Sequence, residues 1–246
     1  MESRTGGGSP RDKSTGGRDA GETRGHVQRE QDALWREVIG LADYVEAALR
    51  TAIEALCEGR PELYAEVRAE EEEIDRWEVR IERQCLRVLA LYDLVASDLR
   101  QVVVGLRINR DLEGLADLAE NIAKRVKKIG KDPLAKSFAA DLQSLAEEAL
   151  GLVSQSLLAL RTTDVTLARR VIEADRAVDK HRMAILEQLK MAIRATPERL
   201  NTWLRLINTA RNLERAADHA TNIAEAIIYI KDGVNVRRGQ DDPIVD

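Results

Sequence analysis

The stretch NRDLEGLADLAENIA at 109 to 123 returns as ARNLERAADHATNIA at 210 to 224, with nine of fifteen residues identical and no gap. Chance at ordinary composition gives about one identity in a window of that length. A chain of 246 residues is long enough for one large domain or two small ones, and the doubled segment favours two like halves. Composition narrows the halves further. Hydrophobic residues make up 44% and charged residues 33%, but aromatics only 3%, with five prolines. A chain so poor in β-formers and so rich in Ala, Leu, Glu and Arg reads as all-helical.

The helices follow from apolar steps of three and four. Leu34, Val38, Leu41, Val45, Leu49, Ile53 and Leu56 mark one face of a first helix that stops at Gly59. A second is expected from about Pro61 to Val95, and a third from a Ser97 N-cap to about Ile129, ahead of Gly130 and Pro133. The plan then repeats: about Leu134 to Leu160, about Val165 to Arg194, and a last helix opened by Thr196 and Pro197 that ends before Gly233. Short connections make consecutive helices antiparallel, so the expected fold is all-α, a tandem pair of three-helix bundles with internal pseudo-twofold symmetry. The expected division is a disordered tail at 1–26, bundles at 27–130 and 131–233, and a frayed tail at 234–246. Seven glycines in the first 25 residues, with almost nothing apolar, leave that tail unable to offset the entropy of ordering.

A formal net charge of −5 with no basic face argues against a nucleic-acid binder. No apolar run approaches the roughly 20 residues that a membrane helix needs, so a cytoplasmic protein is expected, with no membrane insertion. Cys57 and Cys85 lie among apolar helical residues without zinc-site spacing and read as reduced core thiols. His181 and His219 have no partner at ligand spacing and read as packed or solvated. Trp35, Trp77 and Trp203 read as core or dimer contacts. No Ser-His-Asp arrangement, glycine-rich phosphate loop or HExxH is present, and no enzyme activity is expected.

The polar residues of the repeat need a reason of their own. Glu113, Asp117 and Asn121 fall within about 80° on a helical wheel, roughly opposite Leu112, Leu115, Ala119 and Ile122. Glu214, Asp218 and Asn222 take the same places in the second half. Packing does not require this, and two carboxylates four residues apart cost a helix about 0.2 to 0.5 kcal/mol. The second helices bring further pairs, since AEEEEIDRWEVRIE at 69 to 82 matches EADRAVDKHRMAIL at 173 to 186. Glu71 with Asp75, and Asp175 with Asp179, lie beside the apolar stripe, where they can converge with the trio of the next helix. Oxygen-only clusters of this density suit Mg²⁺, Mn²⁺ or iron. The plain alternative is a solvated acidic face, neutralised by Arg110, Lys124, Arg211 and Arg215 through ordinary helix pairs.

Three segments, EEEIDRWEVRIE, ASDLRQVVVGLRINRDLEGLADLAENIA and LINTARNLERAADHATNIAEAIIYI, resemble the PhoU family of phosphate-transport accessory proteins, and the duplicated plan extends the likeness over about 27 to 233. The resemblance implies that Glu71 with Asp75, Glu113 with Asp117, Asp175 with Asp179 and Glu214 with Asp218 hold multinuclear iron or zinc, or Mg²⁺ or Mn²⁺, at the surface. It also implies a homodimer that represses the phosphate-starvation response by bridging the phosphate transporter's ATPase and a membrane sensor kinase. LEGLADLA departs from the family pattern, with Gly114 where a basic residue is usual; LERAADHA is closer. Two other classes remain open at this stage: an ion-storage protein or carboxylate metalloenzyme, and a plain dimerisation module.

Overall fold

A computed structural model of the chain describes residues 16–130, 135–236 and 242–243. Six long helices carry the fold: α1 (Gly16–Glu58), α2 (Tyr64–Leu91), α3 (Ala96–Ile129), α4 (Ala139–Thr162), α5 (Val165–Ala195) and α6 (Leu200–Asp232). Single turns of 3₁₀ helix at Pro61–Leu63, Ala135–Phe138 and Pro197–Arg199 lead into α2, α4 and α6. After α6 the chain forms a two-residue antiparallel ladder, with Val234 opposite Pro243 and Asn235 opposite Asp242, where fraying was expected.

The apolar stripes meet as read. Leu34, Leu41 and Leu49 of α1, Ile74 and Ile81 of α2, and Ile108, Leu112 and Leu115 of α3 are fully buried. Each such side chain contributes about 1.5 to 3 kcal/mol over its exposed state. In the second half Trp203 buries its indole edge-on to Phe138, ring centres 5.8 Å apart, and donates Nε1–H to the Thr196 carbonyl at 3.2 Å.

Three local expectations give way. Helix α1 begins at Gly16, ten residues before the expected end of the tail; residues 1–15 lie outside the described residues. Buried Val27 and Gln31, whose amide donates to the Asp98 carbonyl at 3.1 Å, anchor the helix early, and extending a formed helix costs little per residue. Ser97 does not cap α3: Val95 holds that position without a side-chain bond. Thr196 precedes the turn Pro197–Arg199 but makes no cap bond; its hydroxyl donates to Ala192 O at 3.0 Å.

Helices α1, α3, α6 and α4 form a central four-helix ring, each touching the next, with α2 laid on α1 and α3 and α5 on α4 and α6. The two halves therefore share one continuous core. Partners across the α3–α6 seam run in opposite order. Arg100 and Arg107 stack on Tyr229, Asp111 meets His219, and Arg205 reaches Lys128 O. The helices are antiparallel, and the pseudo-twofold passes between them.

Candidate functional site

The repeated carboxylates gather in two clusters, one on α2 and α3, the other on α5 and α6. The repulsion among them is the measure of their convergence. Partial burial raises the carboxyl of Glu71 above the usual range, and Asp75, Glu120 and Asp117 push it further. Glu113 is raised by burial, then by Asp117, Glu78 and Asp75, with His219 opposing. Asp117 is raised by burial, then by Asp75 and Glu120, with Arg215 of the other half opposing. Asn121 stands beside them and donates to Asp117 O at 2.9 Å.

The second cluster raises its carboxyls in the same way. Asp175 is pushed up to about 6 by burial and by Asp179, Asp218 and Glu214. Burial also raises Glu214 and Asp218; among the charges around them, Asp179 pushes both up and Arg182 pulls both down. The α2 and α5 pairs thus lie within electrostatic reach of the carboxylates of α3 and α6. Basic neighbours offset part of the repulsion: Lys124 pairs with Glu120, Arg182 of α5 lies 3.2 Å from Glu214, Arg211 pulls Glu214 down and Arg215 pulls Asp218 down. Convergence stops short of a cage, because no group of three His, Cys, Asp or Glu among the described residues is placed to hold one ion. The all-oxygen donor set is of the kind that hard cations prefer.

A cleft of about 600 Å³ lies over the α3–α6 seam, between the clusters. His219 crosses it: Nδ1 is 2.8 Å from Asp111 Oδ1, and Asn222 donates to the same oxygen at 3.0 Å. The ring rests on Gly114, where an added Cβ would stand 2.5 Å from His219 Cε1. Asn222, a candidate metal ligand, thus engages Asp111 through its amide nitrogen. The departure at Gly114 has its cause here, since a residue with a side chain would evict the histidine. Asp111 carried no signal in sequence, because the match at 212 is Asn and the bond joins positions 108 residues apart. His181 lies with Nδ1 3.1 Å from Glu148. Cys85 is fully buried, with its thiol pushed up to about 12 by desolvation, and both cysteines are free.

Two stretches of the chain, 38–126 and 142–227, match the PhoU domain model. The chain belongs to the PhoU family. It is 35% identical over 209 residues to the phosphate-specific transport system accessory protein PhoU homolog of Aquifex aeolicus, covering 85% of this chain and 94% of that one. Identity to the homolog of Zymomonas mobilis is 34%, over 85% and 88% of the two chains. The crystal structure of PhoU from Pseudomonas aeruginosa superposes with a TM-score of 0.78 at 27% identity, covering 84% of this chain and 99% of that one. The phosphate transport system regulatory protein PhoU from Streptococcus pneumoniae gives 0.76 at 25% identity, over 85% and 99%. The PhoU domain occurs twice, once in each half of the six-helix array.

Proposed function

We propose that this PhoU protein is a regulatory accessory component of phosphate transport, a non-enzymatic cytoplasmic adaptor. When phosphate is plentiful it holds down uptake and the starvation response, through contact with the transporter ATPase and a sensor histidine kinase. The observation that carries the reading is the pair of outward carboxylate clusters, in each of which like charges raise one another, on a rigid shared core. Such a surface is built to meet something outside the chain. Divalent or iron cations on Asp175, Asp179, Glu214 and Asp218, and on Glu71, Asp75, Glu113 and Asp117, are part of the proposal, as is a homodimer. No helix among the described residues is long and apolar enough to cross a membrane, so membrane partners would be met by docking.

A ferritin-like metalloenzyme or storage protein is less well supported. It would project carboxylates into the bundle interior, whereas the buried polar residues of the described core are Gln31, Asn109, Ser156, Thr202, Thr209 and Asn212. The deciding experiment is a phosphate-responsive promoter reporter in cells lacking the protein. Loss of repression in high phosphate, restored by the wild type and weakly by Glu214→Ala with Asp218→Ala, is expected. A reporter indifferent to the deletion ends the adaptor reading. Elemental analysis of protein purified without chelator tests the cations separately.

A further inference from the structure

Helices α2 and α3 leave between them a groove of about 640 Å³ that the sequence reading did not single out. Its walls carry Asp75, Glu78 and Glu82 from α2 and Glu113 from α3, around Val79 and Leu106. None of the four carboxylates forms an ion pair among the described residues, and Arg110 is the groove's one lining cation. Glu78 is raised above the usual range by partial burial and by Glu82 and Asp75. Asn109 also lines the groove. It is 1% exposed, its Nδ2 donates to Glu78 O at 3.1 Å, and its Oδ1 is a buried acceptor without a donor. Val79 and Leu86, 38% and 53% exposed, continue the apolar strip toward the end of α2.

We propose that this groove docks a basic amphipathic helix of a partner protein. The inference rests on the adaptor reading and supplies the chemistry of one contact. Spacing chooses a helix. Val79 and Leu86 lie seven residues apart, within about 20° on the wheel, and Glu78 and Glu82 lie one turn apart, about 6 Å along the axis. A partner helix presents apolar residues seven apart and lysines or arginines four apart with the same rise. Charge chooses a basic one: Glu78 and Glu82, which lie outside the proposed cation ligands, face the groove, and long basic side chains lay apolar stems on Val79 and Leu106 while their heads meet these acids.

The duplicated counterpart between α5 and α6 has lost this character. By the alignment of 69–82 with 173–186, Arg182 stands where Glu78 does and Leu186 where Glu82 does, and Ala210 replaces Asn109. Arg182 there turns its charge on Glu214 of its own half. Only the first groove keeps its negative charge for an outside partner.

The test uses the full chain and a fluorescein-labelled 14-residue peptide of leucine and lysine in helical register, read by fluorescence anisotropy. A second peptide has glutamate for lysine. Binding of the lysine peptide is expected to weaken about tenfold in Glu78→Gln with Glu82→Gln, the loss of two partly exposed charge pairs. Val79→Ala with Leu86→Ala should weaken it less, Glu54→Gln with Glu58→Gln on α1 should leave it unchanged, and the glutamate peptide should not bind. All these side chains are partly or largely exposed, so circular dichroism should show an unchanged fold. Absence of binding, or equal weakening in the α1 control pair, overturns the proposal. So does a sedimentation shift from dimer to monomer in the Glu78 and Glu82 variant with peptide affinity unchanged, which would put a second copy in the groove. The reporter experiment stands apart: repression intact in a chain that ignores the peptide sinks the groove and spares the adaptor role.

Discussion

At the scale of single residues, the carboxylates set the pH response. Asp175 holds its proton up to about pH 6 in the folded chain, against about 3.9 when unfolded. The folded state therefore binds more protons between those values, and stability falls as pH rises through that window, reaching its full loss above pH 6. Discounted for its partial exposure, the penalty is about 1 kcal/mol at neutral pH. Asp175→Asn should raise the midpoint of thermal unfolding at pH 7.5 by about 2 to 4 °C and leave it nearly unchanged at pH 4; an equal rise at both would assign the effect to packing. Gly114 sets a steric limit instead. Gly114→Ala would bring a methyl to 2.5 Å from the His219 ring, breaking the bond to Asp111, and should cost about 1 to 3 kcal/mol by denaturant titration. His219→Ala should relieve that clash, so the double variant should be more stable than the sum of the two singles predicts.

At the scale of elements, the helix ends show what sequence patterns can and cannot specify. Breaks at Gly59, Gly130 and Gly233 were legible because each glycine follows its helix in a positive-φ conformation that other residues adopt at a cost. The break expected between Leu160 and Val165 has no glycine, and Thr163 ends α4 at φ 52, ψ 40, the described non-glycine residue of positive φ. For a β-branched residue that conformation costs about 1 to 2 kcal/mol. Thr163→Gly should thus stabilise the chain by about 0.5 to 1 kcal/mol net of glycine's own entropy, and no gain in the unfolding midpoint would mean that the Thr163 side chain makes a compensating contact. Asp164 caps α5, its carboxylate accepting from Leu167 N at 3.0 Å. The carboxylate pairs were legible because helical spacing alone puts four-apart residues on one side. The groove residues Glu78, Glu82 and Asn109 were not, because what matters about them is the lack of a counter-ion or donor, and that appears only when α3 is laid against α2.

At the scale of the whole molecule, the two bundles of the duplication share one continuous core. Helices α1 and α4 are tied across the halves by Arg161, whose Nη2 lies 2.9 Å from Glu46 Oε2, and by Ser154, donating to Glu46 at 2.8 Å. Arg161 and Arg50 hold the Glu46 carboxyl below the usual range against its own desolvation. The α3–α6 seam adds Asp111, His219 and Asn222, and the buried apolar residues of both halves belong to one cluster. Sequence could mark where one repeat ends and the next begins, but it gave no measure of the area shared between them, since apolar stripes look alike whichever neighbour covers them. A shared core predicts cooperative unfolding. Trp35 and Trp77 lie in the first half and Trp203 in the second, so Trp35→Phe with Trp77→Phe leaves a fluorophore reporting on the second half alone. In urea, its fluorescence transition should coincide with the far-ultraviolet circular dichroism of all six helices, with one midpoint and one slope. Glu46→Ala should move both signals together to lower urea, because it removes the acceptor that Arg161 and Ser154 of α4 share on α1. Two separated transitions would instead describe halves that fold independently, with the central ring of α1, α3, α6 and α4 too weak to couple them.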